Sequence, residues 1–322
     1  MRAHRFAAAA LALLLLAGTA VAAEKAKDGP GLPRILGRGL LPPPGTQPAP
    51  SAPATQGEPA VEAAPANLEA CAPLPRIRSG PPPFAAGEVL QYDIDVVGVR
   101  AGKLSFEVLP KVGTGSAAEY PLRARAQSNT FFDKVRKVNS EIVTHLRARD
   151  LHPRVFHEDL TEGTMSRTAD VTFSDKEKLV NIEWKTKSGA SGRSKHTYSA
   201  DALDYVGGIY FFRGLNLKVG QSICFESYAM RRMWHVTGVV EAREQITTPA
   251  GVFNAFHLKG KARRLGGAPL EREFHIWISD DERRLPVAAM GIIDLGPVRA
   301  TLVEVNRGDY KTAAARPGNL SW

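Results

Sequence analysis

Hydrophobic residues at every second position set the strongest limit on what this chain can fold into. Leu90, Tyr92, Ile94 and Val96 alternate with Gln91, Asp93 and Asp95, and Leu104, Phe106 and Val108 alternate with Lys103, Ser105 and Glu107. Successive side chains of a strand point to opposite faces, so this pattern buries one face and leaves the other in water. Between the two runs, Gly98-Val99-Arg100-Ala101-Gly102 reads as a hairpin connection bounded by glycines. The alternation returns over 120–126, 142–146, 169–173 and 180–184, and again over 223–227, 234–240, 253–258, 274–279 and 298–305. About eleven or twelve strands with short polar turns predict an all-β domain, either a large antiparallel sandwich or a partly closed β-barrel.

One segment breaks the period. Leu203, Val206, Ile209 and Tyr210 recur at helical spacing within 202–213, with Ser199 and Asp201 as candidate N-caps and Gly214 as the stop. The spacing predicts one short helix that plugs an end of the sheet core, its aromatics Tyr205, Tyr210, Phe211 and Phe212 serving as packing. Thr248-Pro249-Ala250-Gly251 reads as a tight turn, because Pro presets φ and Gly tolerates the reversal. Ser279-Asp280-Asp281-Glu282-Arg283-Arg284 reads as a polar reversal whose carboxylates accept backbone N–H bonds and pair with the arginines. Adjacent carboxylates at a strand end point in different directions, which argues against a glycosidase pair there.

The N-terminal part belongs to a different compositional class. Arg2 and Arg5 precede an apolar run from Phe6 to Ala17, and Ala20-Val21-Ala22 supplies a small-x-small cleavage pattern, so residues 1–23 read as a secretory signal peptide. The run is too short to span a bilayer. Residues 24–82 hold 14 of the 23 prolines, no aromatic residue and few of the β-branched residues that a core needs. They are expected to form a disordered linker, followed by a β domain over 83–310 and a short tail over 311–322. The expected location is the periplasm or another exported compartment of a bacterial envelope, with no transmembrane segment after signal cleavage.

Charge and motifs narrow the chemistry. The formal charge is +9, of which about +6 falls on the β domain, with basic clusters at Arg231-Arg232 and Lys259 to Arg264. Anionic lipid, lipopolysaccharide or acidic glycan could meet such clusters, although solvated strand faces are the plainer explanation. The export signal argues against nucleic acid. His145, His152, His157, His196, His235, His257 and His275 stand singly, without ligand spacing, so no metal site is expected, and no catalytic or cofactor residue is singled out. Ser191-Gly192 lacks the frame of a nucleophile elbow.

Several motifs in fixed order resemble a known family. Phe84-Ala85-Ala86-Gly87-Glu88-Val89-Leu90-Gln91-Tyr92-Asp93-Ile94, the Val99-Arg100-Ala101-Gly102 hairpin, Thr248 to Phe253, and Trp277-Ile278-Ser279-Asp280-Asp281-Glu282-Arg283-Arg284-Leu285-Pro286-Val287 are similar to the bacterial exported family known as domain of unknown function 3108 (DUF3108). The resemblance implies an all-β, periplasmic or envelope-associated domain over 84–306, and it brings no catalytic residue. The Pro-rich leader and Cys71 depart from the family pattern, so their roles are not carried over.

Cys71 and Cys224 are the two cysteines of the chain. In an oxidising compartment they are expected to pair, pinning the end of the linker against the sheet. A free Cys224 beside an unpaired Cys71, or an intermolecular bridge through Cys71, are the competing readings. Two functions remain open. One is a non-enzymatic envelope protein that binds an apolar or glycolipid ligand or an envelope partner. The other is a cell-wall or glycan-modifying hydrolase whose active groups leave no linear motif.

Overall fold

The computed structural model describes residues 61–62 and 68–307, so the signal-peptide reading, most of the linker and the tail at 311–322 lie outside the described residues. In chain order the strands are β1 (Val61–Glu62), β2 (Val89–Val96), β3 (Val99–Val108), β4 (Glu119–Ser128), β5 (Val138–Arg147), β6 (Pro153–Glu162), β7 (Met165–Ser174) and β8 (Leu179–Thr186). They continue as β9 (Ser191–Thr197), β10 (Ala202–Asp204), β11 (Ser222–Ala229), β12 (Arg232–Thr248), β13 (Gly251–Arg264), β14 (Glu271–Ser279), β15 (Pro286–Ile293) and β16 (Gly296–Asn306). Two α-helices, α1 (Asp133–Arg136) and α2 (Tyr205–Gly214), accompany them.

All strands belong to one sheet, which selects the partly closed barrel over the sandwich. β2 to β9 form one meander and β11 to β16 a second, and β2 pairs with β16 to join them. Neighbours are antiparallel except β1 on β9 and β10 on β11, which run parallel. Twisted strands in this number coil the sheet on itself. β9 and β10 lie near opposite ends of the strand order, yet residues 198–201 alone connect them, so the two edges stand no more than about 17 Å apart at that point. The sheet therefore curls until its edges nearly meet, without a backbone ladder to close them.

Helix α2 lies inside the curl, and all ten of its residues are buried. Tyr210 packs edge-on against Phe106 of β3 and Phe212 against Phe225 of β11, while Tyr205 meets Phe156 of β6 in a tilted contact. Strands so far apart in the sheet touch one helix only if the sheet wraps around it. The helix starts later than its spacing suggests, at Tyr205, and its N-cap is Asp204, which accepts from the Val206 and Gly207 N–H groups at 2.9 and 2.7 Å. Ala202–Asp204 is extended because it pairs with β11, and Asp201 is engaged elsewhere. Gly207 in mid-helix has a packing cause: a Cβ there would lie 2.7 Å from Asp204 Oδ2 and 2.8 Å from Leu146 Cδ2.

The last turn of α2 carries Arg213, which has no exposure at all. Its guanidinium donates to both carboxylate oxygens of Glu88 at 2.6 and 3.0 Å, and to the carbonyls of Pro83 and Arg283. It also lies over the rings of Phe84 and Tyr210. Such bidentate pairing is what a buried charge requires. The Phe84 to Glu88 motif thus locks the start of β2 onto the plug.

Two local expectations shift and one holds. The β2–β3 hairpin is tighter than five residues: Val97-Gly98 forms the turn, both with positive φ, and Arg100 to Gly102 belong to β3. The reversal after β14 behaves as expected, with Asp281 accepting from the backbone N–H groups of Arg283 and Arg284 and pairing with the Arg283 side chain. The linker, expected to be disordered through residue 82, is seated on the domain from residue 68 onward. Leu68, Leu74 and Ile77 pack against the core, and Arg78 N–H donates to Gly214 O at 2.8 Å. Those three apolar residues and Cys71 supply the anchoring that the proline-dominated average conceals.

Candidate binding cleft at the sheet seam

Where the edges approach, closure is left to side chains. Cys224 and Glu226 share one face of β11, and Glu226 is directly opposite His235 of β12 in register. Onto this face β9 brings His196, whose Nε2 is hydrogen-bonded to Glu226. Both residues are buried, at 2 % and 8 % exposure, so this bond ties β9 to β11 across the seam. The strap formed by residues 68–78 brings Cys71 to the same face, where it is joined to Cys224 with Cα atoms 5.1 Å apart. That separation lies within the range a disulfide spans.

The connection between β9 and β10 is held from three sides. Leu74 N–H donates to Asp201 Oδ2 at 2.7 Å, and His152 Nε2 lies 2.9 Å from Asp201 Oδ1. Burial pushes the Asp201 carboxyl up, but these hydrogen bonds outweigh it and hold it below the ordinary carboxylate range. Glu226 N–H donates to Asp201 O at 2.9 Å. Tyr198 donates to Asp175 at 2.9 Å, and burial together with that carboxylate raises its phenol well above the usual value.

Between strap, β9 and the β11–β12 face lies a cleft of about 340 Å³. Its walls combine Leu68, Leu265 and Cys71 with polar groups from Glu69, Ser199, Glu226 and His235. Burial lowers the His235 pKa, opposed by Glu226 and reinforced by Arg263. A cleft of this size with a few convergent polar groups has the dimensions of a ligand site. An apolar cavity lined by Ile94, Val96, Phe132, Val138 and Ile293 is far smaller, at about 20 Å³, enough for about one water.

The structure also revises the reading of histidines as isolated residues. On the outer face, His257 Nε2 lies 2.8 Å from His275 Nδ1, and both rings stack with Trp277. His257 is directly opposite Trp277 in register, and the β-bulge between Val240 and Ala242 on β12 places Glu241 3.5 Å from His257. The basic cluster of β13 is a paired strand face: Lys261 and Arg263 reach Glu271, and Lys259 reaches Glu273. Arg231 lies over the Trp184 ring.

Fold and cleft together define a class, an all-β protein made of one curled, incompletely closed sheet around a buried helix. Within that class the chain belongs to the family described as protein of unknown function DUF3108, whose pattern matches residues 91–303. No curated protein matches the chain in sequence. Among solved structures it is similar to a β-barrel-like protein of the domain-of-unknown-function family DUF1849 from Brucella abortus, at 10 % identity and a TM-score of 0.46, covering 70 % of this chain and 99 % of that one. It is also similar to a protein with a YmcC-like fold from Bacteroides fragilis, at 10 % identity and a TM-score of 0.36, covering 72 % and 99 % respectively. Among the described residues no helix is long and apolar enough to cross a membrane.

Proposed function

We propose that this chain is an exported protein of the bacterial envelope that works by binding, and that its partner is another envelope protein seated in the seam cleft. The observation that carries the reading is the cleft itself, about 340 Å³ with mixed polar and apolar walls, on a sheet whose interior is filled by α2. A lipid or glycolipid inside the barrel would need the space α2 occupies, so the partner arm of the expectation is favoured over the apolar-ligand arm. Export rests on the Arg2, Arg5 and Phe6 to Ala17 pattern, with cleavage within 20–24 and the Pro-rich stretch as a spacer. A photo-cross-linking residue at Ser199, expressed in the source envelope, should trap one discrete protein that the same group at Val252 on the outer face does not. Stoichiometric lipid in the purified protein, or identical products at both positions, would reject this reading. Intact-mass measurement of the exported form checks the cleavage.

The hydrolase alternative draws on the His196–Glu226 pair beside Ser199. Both partners are buried and join β9 to β11, which suits a structural bridge better than an acid–base pair that must reach substrate. Retention of full cleft cross-linking by Glu226→Gln, together with loss of glycan cleavage in the same variant, would favour the hydrolase.

A further inference from the structure

The disulfide at the seam has a neighbour that a purely structural bond does not need. His235 lies against it with Nδ1 3.9 Å from Cys71 Sγ and Nε2 3.8 Å from Cys224 Sγ, and the three residues present ligand atoms all within 4.8 Å of one another. Glu226 faces His235 across the β11–β12 ladder, and the open cleft is lined by Cys71, Glu226 and His235. We propose that reduction of the Cys71–Cys224 bond converts the seam into a site for a thiophilic d10 metal ion such as Zn²⁺, held by Cys71, Cys224 and His235, with Glu226 or water as the fourth ligand.

The distances suit this conversion. With metal–sulfur bonds near 2.3 Å and metal–nitrogen bonds near 2.0–2.1 Å, a tetrahedral site separates a thiolate from an imidazole nitrogen by about 3.6 Å and two thiolates by about 3.8 Å. One imidazole nitrogen ligates the ion, and whichever it is, one sulfur already lies within a few tenths of an ångström of that value, Cys71 Sγ from Nδ1 or Cys224 Sγ from Nε2, while one ligand atom from each of the three residues falls within 4.8 Å of the others. The sulfurs must part once their bond is gone, and Cys71 sits on an irregular strap that can give way, whereas Cys224 and His235 are fixed by the ladder. Cysteine with imidazole is a soft donor set that selects zinc over magnesium or calcium.

The chemistry balances with a dithiol as the reductant. The dithiol delivers two electrons and two protons, is itself oxidised to a cyclic disulfide, and leaves two protein thiols. Metal binding then releases those two protons to solvent as the metal–sulfur bonds form. The seam would thus carry a covalent clasp when oxidised and a metal clasp when reduced. This inference needs no partner in the cleft and stands or falls separately from the binding reading.

The test uses the full exported chain, reduced with dithiol, freed of it under anaerobic conditions and titrated with Co²⁺. Reduced protein should bind one equivalent, with a thiolate-to-cobalt charge-transfer band and tetrahedral d–d bands that Zn²⁺ abolishes; oxidised protein should show neither. His235→Ala should weaken the binding at least about tenfold, and Cys71→Ser with Cys224→Ser should eliminate the charge-transfer band. Zinc should raise the Tm of the reduced protein and leave that of the oxidised protein unchanged. Absence of the band in reduced protein that keeps its β-type circular dichroism would overturn the proposal. So would an unchanged affinity in His235→Ala, or a reduced chain that loses its fold and does not regain it with zinc.

Discussion

The two places where the sheet joins itself are built from different materials. At the β2–β16 junction the backbone does the work, in an antiparallel ladder from Val298 opposite Val96 to Asn306 opposite Val89. At the β9–β11 seam the edges meet through the His196–Glu226 bond, the Cys71–Cys224 disulfide and the strap. Backbone pairing is indifferent to most single side-chain changes, because each N–H and C=O is paired whatever the residue carries. A seam held by side chains can be opened by protonation, reduction or one substitution. The molecule is therefore robust at one junction and chemically addressable at the other, and the cleft lies at the addressable one.

The largest effect is expected on the plug that both junctions enclose. Glu88→Gln leaves the Arg213 guanidinium buried without its carboxylate and should cost about 3–5 kcal/mol in denaturant unfolding. Replacing the pair together, Glu88→Leu with Arg213→Met, should recover most of that. A loss shared equally by the double variant would mean that packing, not charge, holds α2.

Cutting the covalent link comes next. Cys71→Ser with Cys224→Ser should lower stability by about 2–5 kcal/mol, because the bond closes a loop with a sequence separation of 153. Limited proteolysis of that variant should cut within 68–82 while the oxidised parent is cut earlier in the chain. A non-reducing peptide map of the exported protein should show the two cysteine peptides linked, and recovery of both as free thiols would remove the covalent half of the seam.

Glu162 offers a pH probe of the interior. Burial raises its pKa from 4.5 to about 7, against the pull of Arg136 and Arg167. The native state holds this proton more tightly than the unfolded chain does, so its contribution is greatest below pH 4.5 and is lost as pH rises through about 7. Glu162→Gln should flatten that decline, worth roughly 3 kcal/mol across the window. An unchanged slope in chemical denaturation would show that another group is responsible.

How much of this the sequence discloses depends on what each strand buries. β2, β3 and β8 read clearly because apolar residues fill one face. β6 does not, because Glu158 and Glu162 occupy inward positions that alternate with Phe156 and Leu160, and interior arginines satisfy them only in three dimensions. β9 reads Ser-Gly-Arg-Ser-Lys-His-Thr, with no apolar residue to give a period, because it lies beside the sheet edge, flanked on its outer side by only the two residues of β1. β15 is a continuous apolar run and gives no alternation either. At the cleft, the pairing of Cys71 with Cys224 could be argued from export alone. His235 and Glu226 could not: their meeting depends on the β11–β12 register, and the arrival of His196 depends on the curl of the whole sheet.

Loosening the seam without touching the disulfide is the smallest change. Glu226→Gln weakens the bond to His196 and should cost about 1–2 kcal/mol. Faster exchange should follow in β9 and β10 alone; an equal change at β16 would contradict a local role.

Native-state amide hydrogen exchange on oxidised and dithiol-reduced protein separates a junction closed by backbone from one held by side chains. Reduction should accelerate exchange in residues 191–204 and at the adjoining edge of β11, while β2 and β16 keep their protection. Uniform acceleration through all strands, or no change at the seam, would contradict that distinction.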